Sequence, residues 1–492
     1  MRSINLLFFF ISFAVLGQQR FYKLYSGSSF DKGEDILVLP DSSFLVAGTS
    51  GSWDQNAQGY LLKLDQLGNY QWSQAYGAQE TEEIKRVFER PGYGYYLAGM
   101  SNSWSTGSYD PMLIFTDLAG NQQWIKTFES TSWERIHDGA QTIDTGMVLV
   151  GERQAVVGGS ADVFIMRLDK NGDTLWTKTF GTNGDDRAFA IQRLTDTSYV
   201  IGGEWYLADS TIQKAFVALI HDNGTLLWQT HLGYYSGAYQ VSDLTLTPNG
   251  IMFVGFHKPN AFNFDNFTGR IATDGNLIQE NTQLDNSGNI TNNRVRQAQY
   301  LDQQQNCIFG FQTINSSTFQ DTFDLALGYV DPYFGYWILN LAGTVVLNAG
   351  LDEINQIRAT ADGGYVAVGT NSNVVDNQNV LNGGSNIFVL KIDMLGGGEI
   401  QTDTVFTLNQ LVSVSDIDQE EIRFGVHPNP MTAVCQVTAT SKEPQLVRLF
   451  DQQGSCLESF ILQESKELDL RNYAAGIYFL ELNGSYLKLL KQ

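Results

Sequence analysis

The sequence predicts an all-β protein, a seven-bladed β-propeller of four-stranded antiparallel blades followed by a small C-terminal β-sandwich. The main observation is a repeated hairpin signature: an apolar strand, a turn that contains Asp and ends in Gly, and a strand with Trp. Its turn glycines recur every 52 residues, at Gly68, Gly120, Gly172 and Gly224. A second glycine ends another strand of each unit at nearly the same spacing, at Gly48, Gly99, Gly151, Gly203, Gly255, Gly310 and Gly369. Repetition at this period indicates one supersecondary unit per repeat, stacked on its neighbours.

Each repeat contains four short β-strands and no stretch with the apolar spacing of a helix. In the first repeat the strands are 36–39, 44–48, 60–64 and 70–76, separated by turn residues. Degenerate copies of the signature after 274, 331 and 393 bring the number of units to seven. So many strands exceed what one open twisted sheet supports, whereas blades around an axis bury both faces. A linear solenoid is the alternative, and it would need a capping repeat at each end.

The two ends of the repeat array complement each other. After Gly396 the last unit lacks a strand with Trp. The segment Phe21–Tyr25 matches Trp72–Tyr76 in the spacing of its aromatic residues. We therefore expect the N-terminal strand to complete the last blade, which closes the ring and removes its exposed sheet edges.

Composition and the chain ends set further limits. Residues 1–17 combine a positive start with a short apolar core and are typical of a cleaved signal peptide. We assign 18–397 to the propeller, 398–423 to an acidic linker and 424–492 to the sandwich. No segment is long enough to span a membrane. A net charge of −23 disfavours nucleic acid and anionic membranes as partners, since both require basic patches.

The three cysteines cannot form a disulfide framework, so stability must come from the apolar core. Cys435 and Cys456 either pair with each other or remain as buried thiols.

The C-terminal segment resembles a known family in five ordered motifs. They are Pro428-Asn429-Pro430, the 451–454 turn that ends in Gly454, 468–470, the 475–479 strand with Gly476 and Tyr478, and the terminal 488–491. The family is the C-terminal sorting domain of type IX secretion substrates in gliding Gram-negative bacteria. The resemblance implies the type IX machinery as a partner and a location outside the cell or on its outer surface. It also implies that the domain is removed or exchanged for a surface anchor.

The propeller repeat, Leu-Asp-x-x-Gly-x-x-x-Trp, resembles those of quinoprotein-like propellers and of bacterial surface proteins with tandem Asp/Gly/Trp repeats. The quinoprotein resemblance would imply a bound quinone, a calcium ion and a catalytic Asp. The chain has no adjacent Cys pair and no acid and metal-ligand set in one loop, so we predict no cofactor and no catalytic residues. The five histidines lack zinc-site spacing. The segment 169–173 is similar to part of a calcium loop but lacks the closing Glu, which favours a plain turn.

An acidic series recurs at the entrance to the first strand of each blade. It consists of Asp31, Glu82, Glu134, Asp186 and Asp352, each seventeen residues before a strand-end glycine. Equivalent positions form a ring in a propeller, so one interpretation is a carboxylate-lined mouth that attracts cations or a basic ligand. The favoured interpretation is structural, in which each carboxylate caps backbone N–H groups or pairs with an arginine such as Arg135 or Arg187.

Aromatic residues occur in the variable connection between the second and third strands of several blades. They are Trp53, Trp104, Trp205, Tyr206 and Phe262, and His257 accompanies them. Such side chains suit sugar rings or peptide side chains, and the alternative is that they fold back over blade edges. The resulting hypothesis is a non-catalytic binding or adhesion propeller for an extracellular glycan or a surface protein. The alternatives are an enzyme that acts on polysaccharide through the acidic mouth and a purely structural surface-layer component.

Overall fold

The structure is a computed structural model with two compact all-β units, Met1–Leu411 and Val412–Gln492. It describes residues 20–52, 56–78, 80–104, 109–156, 158–207, 212–259, 265–283, 292–300, 307–314, 323–331, 335–337, 352–371, 375–376, 379–380, 385–392, 402–407, 424–427, 433–439, 445–451, 456–463, 465–482 and 485–491. The predicted signal peptide, 1–17, lies outside the described residues.

The first unit starts with a single strand, β1 (Phe21–Ser26), and continues with consecutive antiparallel four-stranded sheets, or blades. Blade 1 contains β2 (Asp31–Val38), β3 (Phe44–Ser50), β4 (Gln58–Leu64) and β5 (Tyr70–Tyr76). Blade 2 contains β6 (Glu82–Arg90), β7 (Gly94–Ser101), β8 (Asp110–Thr116) and β9 (Gln122–Thr127). Blade 3 contains β10 (Trp133–Gln141), β11 (Met147–Gln154), β12 (Ala161–Leu168) and β13 (Thr174–Phe180).

The pattern continues through the next three blades. Blade 4 contains β14 (Arg187–Thr195), β15 (Ser198–Leu207), β16 (Ile212–His221) and β17 (Leu226–Leu232). Blade 5 contains β18 (Ala238–Thr247), β19 (Gly250–Lys258), β20 (Asp265–Ile271) and β21 (Leu277–Gln283). Blade 6 contains β22 (Asn292–Tyr300), β23 (Cys307–Ile314), β24 (Phe323–Asp331) and β25 (Gly335–Trp337).

Blade 7 joins the two ends of the repeat array. Its own strands are β26 (Asp352–Ala359), β27 (Tyr365–Asn371) and β30 (Asn386–Ile392), with the short hairpin β28 (Val375–Asp376) and β29 (Asn379–Val380) inserted. β1 pairs antiparallel with β30, from Phe21 opposite Lys391 to Tyr25 opposite Ile387. The predicted closure by the N-terminal strand is thus confirmed. A fifth strand, β31 (Thr402–Thr407), pairs parallel to β1. The segment 398–423, which we expected to be a linker, therefore supplies a strand to this blade.

The first strands of the blades surround a common axis. In chain order β2, β6, β10, β14, β18, β22 and β26 each contact the next, and β26 contacts β2. These contacts close a ring of seven blades, so the predicted seven-bladed all-β fold is confirmed. The second and third strands, such as β3 and β4, are buried along their whole length because neighbouring blades cover both faces.

The repeated Gly and Trp form the seam between blades. A Cβ added to Gly120 would lie 2.5 Å from the ring of Trp72, and one added to Gly172 would lie 2.8 Å from Trp124. The turn glycine of each blade is therefore the seat for the aromatic side chain of the blade before it. These glycines also have positive φ, 81° at Gly120 and 75° at Gly172, which other residues adopt only with strain.

β1 repeats this seam at the point of closure. A Cβ on Gly68 would lie 2.6 Å from the ring of Phe21, which thus takes the place of the repeat Trp. The Tyr25 hydroxyl donates to the Gly68 carbonyl at 2.5 Å, just as the Tyr76 hydroxyl donates to the Gly120 carbonyl at 2.6 Å. The N-terminal strand is thus a fourth blade strand in its contacts as well as in its pairing.

The second unit consists of two antiparallel sheets. One contains β32 (Phe424–His427), β33 (Val434–Ala439) and β36 (Ser465–Asp469). The other contains β34 (Gln445–Asp451), β35 (Cys456–Leu462), β37 (Gly476–Leu482) and β38 (Ser485–Lys491). Residues of both sheets, including Val437 and Leu449, share one apolar core, which is the predicted sandwich. Cys435 is a free thiol in that core, and burial raises its pKa to about 11.

We predict that Trp124→Ala destabilises the protein by about 3 kcal/mol, because it empties the seat on Gly172. Gly172→Ala should also destabilise, through its positive φ and the contact with the ring. The two changes together should cost less than their sum, because removal of the ring relieves the clash. Urea denaturation of the single and double variants measures this coupling. Trp104→Ala, at an exposed position, is the matched control, and additive effects of the seam pair would contradict the seat.

Deletion of residues 18–25 should lower the free energy of unfolding by about 5 kcal/mol or more, because three buried aromatic side chains and a full strand pairing are lost. It should also cause self-association through the exposed edge of β30. Denaturation and light scattering test both effects. A synthetic peptide of residues 18–28 added in trans should restore the stability, and a truncated protein that is as stable and monomeric as the parent would refute the closure.

Candidate functional site

The strand pairing separates the loops of the propeller between two ends. The loop face carries the connections between successive blades, such as 27–30, 128–132 and 233–237, together with the connections between second and third strands. The turn face carries the tight turns, such as 65–69 and 117–121. The described members of both sets of sequence-predicted site residues therefore belong to the loop face.

The acidic residues of the series cap the connections between blades. Asp31 accepts the Gly27 N–H at 2.7 Å, and Ser50 and Ser52 hydroxyls also donate to it. Glu82 accepts the N–H of Ala78 at 3.0 Å in the same way. In each case the side chain is buried and binds the backbone four residues before it.

Asp186 and Glu134 make the equivalent contacts. Asp186 accepts the Thr182 N–H at 2.5 Å and the Tyr206 N–H at 2.7 Å, and Glu134 accepts the Ser130 hydroxyl at 2.6 Å. Burial raises the pKa values of both carboxyls and of Asp31. The side chain of Asp352 lies outside the described residues. These contacts correspond to the capping alternative, because the carboxylates face backbone donors and are closed to solvent.

Blade 5 fills the same position with tyrosine. The register of β18 and β19 places Tyr239 where the other blades carry the acid, one residue closer to Gly255 than the spacing predicted. Its hydroxyl accepts the Tyr235 N–H at 3.0 Å, so it caps the same connection four residues back. A constant spacing of seventeen residues before the glycine would point instead to Ala238, the residue before it.

Three of the predicted ligand-binding residues are strand residues and not loop residues, which corrects the expectation. Trp205 and Tyr206 lie in β15, paired with Lys214 and Gln213, because the β15–β16 hairpin is longer than its counterparts. His257 lies in β19, paired with Asp265. Trp53 and Phe262 lie outside the described residues. Of the predicted set, Trp104 is exposed on the loop face, at 39% of its surface.

The two residues of β15 contact other parts of the propeller, Trp205 through its ring and Tyr206 through its backbone. The Trp205 ring is half-buried, 5.6 Å from Phe216 and 5.8 Å from His231. Tyr206 contributes its backbone N–H to the Asp186 cap.

His257 is only 2% exposed, and both of its ring nitrogens lie within hydrogen-bond distance of a partner. Its Nδ1 is 3.1 Å from an Asp265 oxygen and its Nε2 is 2.7 Å from the Ser236 carbonyl. The ring stacks on Tyr239 at 4.2 Å. These contacts fix the 233–237 connection and leave no ring atom for a ligand.

The structure shows a cation–aromatic cluster that sequence reasoning missed. The Arg135 guanidinium lies 4.1 Å from the Trp133 ring centre and 5.5 Å from that of Tyr109. The Glu134 N–H donates to the Tyr109 carbonyl at 2.9 Å, which holds β10 of blade 3 against blade 2. We call Tyr109, Trp133 and Arg135 the blade 2–3 cluster. Its sequence signal was the Trp and Arg two residues apart, which share one face of a strand.

A second aromatic pair projects from the connection between blades 4 and 5. Tyr234 is 84% exposed and its ring packs edge-on against Tyr235 at 5.4 Å. These residues also belong to the loop face, in the connection that Tyr239 and His257 fix.

At the axis, the first strands of blades 1, 2 and 3 have bulges followed by polar residues, Asp35, Arg86 and Asp138, that contact the next blade. Asp35 accepts the Val87 N–H at 2.9 Å, and Asp138 accepts the Ile191 N–H at 2.8 Å. The Arg86 Nε donates to Asp138 at 2.6 Å. Burial lowers the pKa of Arg86, but the negative charges of Asp138 and Asp35 outweigh it and keep the group charged.

Metal ligation finds no support in the described part of the chain, where no group of three or more His, Cys, Asp or Glu residues is placed to hold an ion. In the predicted turn, Asp169 accepts the N–H groups of Asn171 and Asp173, both at 2.8 Å. This is an ordinary turn arrangement. Within the described residues no helix has the length and apolar character needed to cross a membrane.

The motif residues of the second unit are only partly described. Gly476 begins β37, and the Tyr478 hydroxyl donates to the Ala474 carbonyl at 2.7 Å. The Lys491 ammonium donates to the Leu470 carbonyl at 2.8 Å, which ties the C-terminal strand to the 470–473 turn. Pro428, Asn429, Pro430 and Gly454 lie outside the described residues.

Among solved structures the chain is similar to several propellers. The β-propeller domain of the Trilobed protease from Pyrococcus furiosus is 9% identical, with 76% of this chain and 96% of that chain covered and a TM-score of 0.40. Drosophila Semaphorin 1a, extracellular domains 1–2, is 10% identical over 75% of this chain and 87% of that chain, with a TM-score of 0.44. The Dos1 propeller is 10% identical over 79% and 98%, with a TM-score of 0.42. Because the identities and TM-scores of these matches are low, the fold assignment rests on the strand pairing of the chain itself.

In sequence, no curated protein matches the chain. Residues 425–492 match the family described as the secretion system C-terminal sorting domain. This match agrees with the five motifs of the C-terminal segment. The protein is therefore a β-propeller protein with a type IX secretion sorting domain, and it is secreted to the outer cell surface.

Proposed function

We propose that the propeller is a non-catalytic binding module that captures an extracellular glycan on its loop face. The observation that supports this most directly is the blade 2–3 cluster, where Arg135 packs over the Trp133 ring beside Tyr109. All three side chains are partly exposed. Aromatic faces next to a guanidinium suit the apolar face and the hydroxyl groups of a sugar.

The state of the loop-face carboxylates supports binding without turnover. A glycosidase needs two carboxyl groups that reach the two sides of a glycosidic bond. Asp31, Glu82 and Asp186 are buried and engaged with backbone N–H groups. Such groups stabilise the loop face but cannot transfer a proton to a bound sugar.

One observation favours an enzyme as the second candidate. Asp110 of blade 2 lies beside Glu134 of blade 3, and its Oδ1 accepts the Ser130 N–H at 3.1 Å. Burial, reinforced by the charge of Glu134, raises the pKa of Asp110 to about 6, a value that suits a general acid. Both side chains are at most 3% exposed, and for that reason we favour binding.

A glycan array with the purified mature protein tests the proposal, followed by affinity measurements on the hits. We expect Trp133→Ala to weaken binding about tenfold, or about 1.4 kcal/mol, without a change in the thermal midpoint. Tyr93→Ala is the matched control, an exposed aromatic residue beside Arg90 on the turn face, and it should bind as the parent does. Reducing-sugar release from a hit would favour the enzyme. An array without hits, or equal binding by Trp133→Ala, would refute the proposed site.

The Asp110 carboxyl should also make stability depend on pH. Its pKa is raised on folding from about 3.9, so the folded state binds the proton more tightly than the unfolded state. The stabilisation that the protonated Asp110 carboxyl gives the folded state is complete below about pH 4 and is lost as the pH rises through about 6. Asp110→Asn should remove this loss and be more stable than the parent at pH 7 by about 1–3 kcal/mol. Urea denaturation from pH 4 to 7 measures it, with the exposed Asp196→Asn as a control that keeps the parent's slope.

A further inference from the structure

A cavity of about 440 Å³ lies on the axis of the propeller, on the turn-face side of the bulges. Its lining comes from residues at or just after the bulges of the first strands β6, β10, β14, β18 and β26. Because these first strands run from the loop face toward the turn face, the cavity is separate from the blade 2–3 cluster. Its volume lies within the range of small-molecule sites.

Arg86 and Asp138, which line one side of the cavity, already form hydrogen bonds with each other and with the backbone. Arg86 donates to Asp138 at 2.6 Å and to the Lys85 carbonyl at 2.8 Å. Asp138 also accepts the N–H groups of Gly139 at 2.7 Å and Ile191 at 2.8 Å. The carboxylate of Asp138 therefore has donors on both oxygens and has little capacity left to accept from a ligand.

The lining carries three arginines, Arg86, Arg193 and Arg358, against two carboxylates, those of Asp138 and Asp243. Arg193 is an exposed residue of the lining, and among the described residues its guanidinium forms no hydrogen bond or ion pair. Arg358 uses two of its five N–H groups in long contacts, both 3.3 Å, to Asp35 and to the Ile357 carbonyl. Two guanidinium groups with unused donors are suited to a carboxylate, which accepts two parallel hydrogen bonds from each planar group.

Apolar groups complete the lining between these donors. Phe88 is half-buried at the cavity, and Ala140, which is 8% exposed, lies on the first strand of the next blade. A bare anion would leave most of the volume and these carbon surfaces unused, so the lining fits an anion attached to a carbon skeleton.

The geometry points to this cavity as a binding site for a small sugar acid, with its carboxylate on Arg193 and Arg358 and its ring carbons against Phe88. The attraction is local, because the protein as a whole carries a charge of −23 and repels anions at long range. The site does not depend on the glycan proposal, since it lies at the other end of the axis.

Calorimetric titration of the mature protein with glucuronate tests the inference, with glucose and inorganic phosphate as comparison ligands. We expect saturable binding of glucuronate with a dissociation constant below about 1 mM and at least about tenfold weaker binding of glucose and phosphate. Arg193→Gln, which breaks no contact within the described residues, should weaken glucuronate binding at least about tenfold. Lys170→Gln removes the same charge from an exposed turn on the same face and should change nothing.

Three results would overturn the inference: no glucuronate binding at about 10 mM, which is far above the expected constant; unchanged binding by Arg193→Gln; or phosphate binding as tight as that of glucuronate. Arg358→Gln gives an independent check of the second guanidinium. Because Arg358 also contacts Asp35 of blade 1, its thermal midpoint must be measured alongside.

Discussion

The antiparallel pairing of β1 with β30 is the constraint on which the rest of the propeller depends. Each blade buries its second and third strands against both neighbours, so the first and last blades lack a complete core until the ring is closed. β1 supplies the missing outer strand, and its Phe21 and Tyr25 occupy the seam on Gly68 that Trp and Tyr occupy elsewhere. β31 then covers the edge of β1 and becomes the outer strand of this blade.

Because the blades repeat the same contacts, residues that bind a ligand are hard to distinguish from residues that support the ring. Asp31, Glu82 and Asp186 each bind the backbone four residues earlier at the entrance to their blades, and Tyr239 does so in blade 5 without any charge. Groups that recur in the blades support the ring, whereas residues that differ between blades, such as Arg135 with Trp133 or Arg193 at the axis, are available for recognition.

Glycine and aromatic spacing predicted the blades, their number and the N-terminal closure, because each of these features has a local sequence signature at a constant period. The bulges had none. One extra residue in a first strand reverses the side of every residue beyond it, so Asp35, Arg86 and Asp138 at the axis were invisible to a pattern of spacings. The length of a hairpin is likewise set by pairing across it, and for that reason Trp205 and His257 were placed in loops although they lie in strands.

The closure also has a kinetic consequence. The partners in the β1–β30 pairing are more than 360 residues apart in the chain, so the contact that completes the ring joins the two ends of the repeat array. Long-range pairing of this kind slows folding, because chain entropy is spent before any contact compensates for it. During synthesis, the first strand must wait without its partner until nearly every blade has emerged. Once docked, it makes unfolding slow as well, since the ring can open only when this strand is pulled from both neighbours, and such a barrier favours long persistence among extracellular proteases.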